Sequence, residues 1–251
     1  MSSSTRTHAA AQLIGDRSHQ CDATATYTHD GVRAYVLLDG IGSTPEIRDW
    51  TRTAARRLAH TAARHGNAET GLRDLYDRYA DEPNRRNLWT DLPNACAVVA
   101  VHNAGTLSVA WCGDSRAYLH TGSGLDRLTE DHNMRRVAPC WGSRNQVTSW
   151  LGSHAGDDQL LREVGHPAIE SLTRDLPDGG RLLLASDGAY EPLEDSCRNL
   201  ATYLTGSPAA AARTFTRAAI DHASSHADNA TVLIADLYSQ KEHSDASHDR
   251  P

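Results

Sequence analysis

Three apolar runs in this sequence carry an aspartate at one end. Val36-Leu37-Leu38-Asp39-Gly40-Ile41-Gly42-Ser43 ends in aspartate, and glycines follow at once. Arg181-Leu182-Leu183-Leu184-Ala185-Ser186-Asp187-Gly188 repeats the design. Asp228-Asn229-Ala230-Thr231-Val232-Leu233-Ile234 reverses it, with the aspartate ahead of the run. A buried strand carries its last residue to a sheet edge, and glycine permits a sharp turn with backbone packed close behind. Three such strands could bring their carboxylates together. Clustered carboxylates repel one another, so the pattern calls for a cation. Aspartate oxygens without histidine or cysteine select hard ions such as Mg2+ or Mn2+ over zinc. Two such ions about 3.5–4 Å apart can share a water and lower its pKa. The hydroxide so formed can attack phosphorus in line while an arginine holds the phosphoryl oxygens.

The elements that must position these residues can be read along the chain. Ala11 to Gly15 reads as a short strand, and Asp16 to Asp22 as a polar loop. Ala23 to Thr28 and Val32 to Leu38 flank the turn His29-Asp30-Gly31 and read as a hairpin. Thr44-Pro45-Glu46 opens a helix that runs to about His65, with Trp50, Ala54, Leu58 and Ala62 on one face. A second helix follows over Ala68 to Tyr79, then a connecting loop from Pro83 to Pro93. Ala95 to Val101, Thr106 to Trp111 and Ser115 to His120 form a strand meander, and a short strand ends near Leu128. Residues 131 to 160 are polar and punctuated by Gly142, Gly152 and Gly156, which suits a flap or a short helical excursion. A strand is expected over Arg162 to Leu172, another up to Asp187, helices over Glu194 to Leu204 and Ser207 to Ala223, and a last strand from Asp228 to Tyr238. This order lacks the alternating rhythm of a parallel sheet. It predicts an α+β fold, a four-layer αββα sandwich of two mostly antiparallel sheets flanked by helices. Residues 1–9 read as a flexible tail, 10–238 as one domain, and 239–251 as a disordered polar tail.

The motifs together resemble those of the metal-dependent protein serine/threonine phosphatases, the PPM family of type 2C enzymes, in its bacterial form. Arg17 stands five residues before Asp22. Asp39-Gly40-Ile41-Gly42 matches Asp-Gly-x-Gly, and Gly113-Asp114-Ser115-Arg116-Ala117 matches a segment inside the meander. Leu128-Thr129-Glu130-Asp131-His132-Asn133, Ser186-Asp187-Gly188 and Asp228-Asn229-Ala230-Thr231 complete six motifs in the family's order, across roughly residues 11 to 238. The resemblance implies a hydrolase for phosphoserine and phosphothreonine in proteins, with a binuclear Mg2+ or Mn2+ site. It implies that Asp39 bridges both ions, that the Gly40 carbonyl assists one, and that Asp187 and Asp228 hold the other. Asp22 acts through metal-bound water, Arg17 grips the substrate phosphate, and Asp114 with Asp187 serves a third, weaker ion. The implied partner is a phosphorylated protein, opposite a serine/threonine kinase, and the protein itself is expected to be a monomer.

Three positions depart from the family pattern. Ser43 stands where bacterial members carry another glycine, Gln20-Cys21 precedes Asp22 where Asn-Gln is usual, and Ile41 replaces the histidine of eukaryotic members. The first two keep open a catalytically weak regulatory or binding module on the same fold. A phosphatase for a small phosphorylated metabolite is a further alternative, because specificity lies in the 131 to 160 segment.

Bulk properties bound these readings. The net charge of −7 argues against non-specific nucleic-acid binding and disfavours adhesion to anionic lipid. Five cysteines without a C-x-x-C pair fit a reducing cytoplasm rather than a disulfide or zinc-thiolate framework. The longest apolar run, Ala95 to Val101, is too short to span a bilayer, and the first residues lack a signal peptide's apolar core. His222 and His226 read as a solvated helix end, Cys21 as a packed thiol, and Arg48, Arg52, Arg56 and Arg57 as a solvated helix face.

Overall fold

The computed structural model describes residues 7–87, 91–224 and 226–238. Ten strands and six helices follow in chain order: β1 His8–Leu13, β2 Ala23–His29, β3 Val32–Gly40, α1 Pro45–His65, α2 Ala68–Ala80, β4 Ala95–Asn103, β5 Thr106–Cys112, β6 Arg116–Thr121, β7 Gly124–Arg127, α3 Met134–Val137, α4 Asp157–Val164, β8 Glu170–Asp175, β9 Gly180–Ala185, α5 Asp187–Asp195, α6 Pro208–His222 and β10 Ala230–Leu237. A 3-10 turn at Leu200–Tyr203 separates α5 from α6.

The strands form two five-stranded sheets, ordered β1-β10-β9-β6-β7 and β2-β3-β4-β5-β8, with every pairing antiparallel. Strand periodicity sorts side chains to opposite faces. Leu37, Val98, Val109, Leu182, Leu184 and Leu233 point between the sheets and form the central core. Val36, Leu38, Val99 and Ala110 point outward instead, under Ala54, Leu58, Leu72 and Leu75 of α1 and α2. On the far side, Leu183, Val232 and Ile234 receive Tyr190, Leu193 and Phe215 of α5 and α6. The expected αββα layering is present.

The capping chemistry explains α1. Thr44 takes the N-cap and accepts from the Ile47 amide, Pro45 fits the first turn, and Gly66 closes the helix in the left-handed region at φ 66°. Other boundaries differ from the sequence reading. β1 begins at His8, inside the stretch read as tail, because it pairs with β10 from Ala235 to Ala230 and this long-range ladder leaves no local signal. The strand expected over Arg162 to Leu172 is a helix followed by a strand. Asp157 and Asp158 favour the N-terminal end of α4, Gly165 ends it at φ 80°, and β8 starts only at Glu170. The helix expected from Glu194 instead begins at Asp187. Gly188 and Pro192 are poor helix formers, but packing of Tyr190 and Leu193 against α6 and β10 overrides them. The polar tail expected at 239–251 lies outside the described residues, as do residues 1–6 of the first tail.

The segment after β7 is fastened to this frame. Arg116 bonds Asp131 through two contacts of 2.7 Å and reaches Glu194 of α5. Its guanidinium lies 3.7 Å from the centre of the Tyr190 ring. His132 is fully buried and stacks on His166 at 4.0 Å between ring centres. Its Nε2 donates to Glu170 at 2.9 Å, and Arg136 holds the same carboxylate. Burial lowers the His132 pKa to about 4, despite the Glu170 carboxylate. Burial alone would raise Glu170, but bonding from Arg136 and His132 outweighs it and lowers that pKa to about 2.

The folded state therefore resists protonating His132, whereas the unfolded chain accepts a proton below about pH 6.5. The contribution of this residue to stability should fall as pH drops from 6.5 to 4, by about 3 kcal/mol in all. Thermal or urea unfolding of the wild type, minus that of a His132→Gln variant, isolates it. A difference that stays level over this interval would contradict the assignment.

Candidate active site

Each aspartate read from sequence sits at a strand end or in a turn on one edge of the two sheets. Asp39 is the penultimate residue of β3 and faces Cys96 of β4 in register. Asp22 immediately precedes β2, and Asp114 lies in the turn between β5 and β6. Asp187 opens α5 just after β9, and Asp228 precedes β10. Pairing within each sheet and packing between them bring all of these to one place. Arg17, Asp39, Gly40, Asp114, Asp187 and Asp228 line one cleft of about 550 Å³. Asp22 is buried behind it, 2% exposed.

Close backbone approach makes this edge compact. A Cβ on Gly40 would meet the Cys21 carbonyl and the side chains of Ile47 and Thr51. A Cβ on Gly188 would collide with the Asn229 carbonyl. The glycines beside Asp39 and Asp187 are thus required by packing, which lets the two sheets' edges close on each other.

The electrostatics are those of charge buried against like charge. Burial raises the Asp39 pKa well above the usual carboxylate range, and Asp22, Asp187 and Asp114 add to the shift. Burial is also the largest cause for Asp22, raised to about 7. Burial likewise raises Asp187 and, with the Asp187 charge, lifts Asp114 well above its ordinary value. Asp22 Oδ2 accepts from the Ser186 hydroxyl at 3.1 Å, while its Oδ1 is buried with no hydrogen-bond partner among the described residues. A buried, orphaned carboxylate oxygen is costly. Arg17 is the nearby counter-charge, and its Nη2 donates to Asp228 Oδ2 at 2.5 Å at the cleft's rim.

By donor type these residues fit a hard divalent cation: all are carboxyl oxygens, largely buried, with one oxygen lacking any partner. Among the described residues, however, no group of three or more His, Cys, Asp or Glu side chains stands in an arrangement that could hold a metal ion. The donor chemistry is in place without a closed cage among the described residues.

The departures noted in sequence have structural roles. Ser43 Oγ bonds the Ser18 hydroxyl at 3.0 Å and accepts from the His19 amide at 3.1 Å, tying the loop that carries Arg17 to the turn after Asp39. Gln20 accepts from the Asp22 amide and donates to the Leu13 carbonyl, so the turn into Asp22 keeps its hydrogen bonds. The Cys21 thiol is buried and raised in pKa chiefly by that burial. Ile41 is exposed on the cleft wall. His222 is held by Arg198 and by the Ala218 carbonyl. With His226 it also lines the cleft, which a solvated helix end did not imply.

Sequence reasoning missed several supporting groups. Asn229 accepts from the Cys21 amide at 2.8 Å and donates to the Ile14 carbonyl at 2.9 Å, locking the start of β10 to the Arg17 loop. Tyr190 donates to the Asp114 carbonyl at 3.0 Å, and His132 donates its amide to Gly113. Glu191, on the next helical turn after Asp187, also lines the cleft, with its pKa raised to about 7 by burial and then by the Asp187 charge. Its spacing from Asp187 was the available signal.

The molecule is thus a two-sheet αββα sandwich with an acidic cleft at one edge of its strands. Comparison with known proteins narrows its class. The sequence model for protein phosphatase 2C matches residues 35–138. A rice protein described as probable protein phosphatase 2C 68 is 28% identical over 246 residues. That match takes in 88% of this chain and 64% of the relative, so the chain spans under two thirds of the relative's length. PppA, described as a key regulatory component of the type VI secretion system in Pseudomonas aeruginosa, superimposes with a TM-score of 0.70 at 22% identity, over 92% of this chain and 97% of that one. The catalytic domain of the serine/threonine phosphatase PstP, solved with two manganese ions, gives 0.66 at 21% identity, over 92% and 97%. The chain is thus similar in sequence to protein phosphatase 2C over residues 35–138 and shares its fold with the PPM phosphatases.

If Asp39 is held against its neighbours' charge, neutralising it relieves the metal-free protein. At pH 8 in chelator, Asp39→Asn should unfold at a higher temperature than the wild type, with a gain on the order of 1 kcal/mol or more. The gain should shrink as acid protonates the cluster. A variant less stable than the wild type at pH 8 would sink this reading.

Proposed function

We propose that this protein is a metal-dependent phosphatase for phosphoserine and phosphothreonine in proteins. The observation that carries the reading is the gathering of Asp39, Asp114, Asp187, Asp228 and Arg17 on one cleft, with Asp22 buried behind them. Asp39, Asp187, Asp228 and the Gly40 carbonyl are the groups that would hold Mg2+ or Mn2+, with Asp22 behind them and Asp114 serving a further ion. Such ions, when bound, neutralise phosphoryl charge and activate water at neutral pH.

The chain's own residues do the remaining work. Arg17 is half-exposed at the rim, where its guanidinium can leave Asp228 and take phosphoryl oxygens in a bidentate grip. Tyr190 and His132 hold the turn that presents Asp114. Asn229 holds the loop that presents Arg17. The backbone amides of Gly188 and Asn229 donate to Asp187 and Asp228, keeping each carboxylate aimed into the cleft. Ile41 on the cleft wall offers no proton, so the leaving serine oxygen takes one from water or from another cleft group such as Glu191.

The altered Gln20-Cys21 and Ser43 positions motivate a second reading, a phosphoprotein-binding or regulatory module on the same fold. Calorimetry with Mn2+ separates the two, because only the first needs tight metal binding.

Hydrolysis of p-nitrophenyl phosphate and of a phosphoserine peptide should require added Mn2+ or Mg2+ and stop in chelator. Asp39→Asn and Asp187→Asn should each lose at least about a hundredfold in kcat while folding normally. Arg17→Ala should act mainly on KM, by about tenfold. Equal, negligible turnover with and without Mn2+ would defeat the reading.

A further inference from the structure

The loop that carries Arg17 runs between two edges that bear aspartates, and it is bonded to both. On one side it meets the entry to β10. The Asp16 amide donates to the Ala227 carbonyl at 2.8 Å, and the Ala227 amide donates to Asp16 Oδ2 at 2.8 Å. Gly15, at φ 62°, packs so closely there that a Cβ would strike the Asp228 carbonyl. On the other side lies the turn after Asp39. Among the described residues, the bonds that residues 17–19 make to this turn all end on Ser43. The Ser18 hydroxyl lies 3.0 Å from Ser43 Oγ and 3.3 Å from its carbonyl, and the His19 amide donates to Ser43 Oγ at 3.1 Å. Two residues on, the Cys21 thiol continues the seam by donating to the Thr44 carbonyl at 3.6 Å.

A serine here costs the backbone nothing. Gly42 takes the left-handed φ of 113°, and Ser43 is not among the residues at positive φ. The turn needs its glycine at 42, so a hydroxyl at 43 adds bonds without strain. Arg17 depends on such bonds. Its side chain is 47% exposed, and its hydrogen bond goes to Asp228 on the cleft rim. To grip a phosphoryl group the guanidinium must leave Asp228 and give up rotamer freedom. A backbone pinned on both sides lowers that cost and keeps the fork within reach of the cleft, where small misplacements are expensive.

We propose that Ser43 is a positioning residue for phosphate binding: it pins the Arg17 loop to the turn leaving Asp39, so that the guanidinium and the carboxylates keep a fixed separation when a phosphoryl group enters between them. The proposal rests on the phosphatase reading given above and deepens it. In this role Ser43 touches neither substrate nor cation. Its effect therefore cannot exceed that of Arg17, and it disappears when Arg17 is gone.

The test compares wild type, Ser43→Ala and Ser43→Thr, each with Arg17 intact and with Arg17→Ala. Binding of inorganic phosphate in Mn2+ buffer is measured by calorimetry, alongside Mn2+ affinity, melting temperature and steady-state kinetics on p-nitrophenyl phosphate. Ser43→Ala should raise Kd for phosphate and KM for p-nitrophenyl phosphate about fivefold, the loss expected from two hydrogen bonds, and leave kcat within about twofold. Mn2+ affinity should stay unchanged. Ser43→Thr, which keeps the hydroxyl, should restore most of the phosphate affinity. In the Arg17→Ala background, Ser43→Ala should add nothing. Phosphate affinity unaltered by Ser43→Ala, or no phosphate bound by the wild type, overturns the proposal. So does a loss that adds to that of Arg17→Ala, or one that tracks melting temperature and Mn2+ affinity, since a merely structural serine would behave so. Weakened phosphate binding in a protein without turnover sustains the role of Ser43 while removing the catalytic reading.

Discussion

Like charge held in a low-dielectric place constrains this molecule more than any other single feature. Asp22, Asp39, Asp114 and Asp187 are all raised in pKa, and burial is the first cause in each. Carboxyl groups so placed would move apart or draw in water if their backbones could yield. They cannot, because each is fixed to an element that the cores hold. Asp39 ends a strand paired on both sides, by β2 and β4. Asp187 starts a helix whose Tyr190 and Leu193 are fully buried. The hydrophobic layers therefore oppose the electrostatic cost of the cleft, as functional sites commonly require.

Support for the cleft comes from groups that never enter it. Arg116 joins β6 to the loop at Asp131, stacks on Tyr190 and reaches Glu194. Tyr190 in turn holds the Asp114 carbonyl. A continuous set of contacts thus runs from the sheet through α5 to the turn of Asp114. His132, Glu170 and Arg136 do the same from the other side, binding the start of the long loop to β8. The loop that bears Trp141 and Arg144 is an outgrowth of this second cluster. Its contacts to α5 give the rim a defined shape beside the acidic edge.

The relation to PppA and PstP is one of fold, at 22% and 21% identity. At that distance the shared content is the fold, the two sheets and their flanking helices. This chain's own loops carry Ser43 after Asp39, Cys21 beside Asp22 and an exposed Trp141. In the first two cases the local hydrogen bonds are complete, with Ser43 linking two loops and Gln20 capping the turn into Asp22. These substitutions leave the aspartates' backbone supports intact.

Much of the site was legible in order along the chain, since Asp39, Asp187 and Asp228 border apolar runs whose periodicity and glycines are local properties. The hairpin at His29-Asp30-Gly31 and the caps of α1 were equally local, written in turn residues and in Thr44, Pro45 and Gly66. Tertiary structure decided what depends on distant partners. β1 begins at His8 because β10 lies beside it, and α5 begins at Asp187 despite Gly188 and Pro192 because its apolar face meets α6 and β10. The supporting roles of Asn229, Tyr190 and Glu191, and the exposure of Trp141, likewise arise only when separate segments meet. Composition and spacing can name the groups that carry charge, because charge belongs to a residue. Burial, pairing and orientation belong to the packed chain, so only the fold sets them.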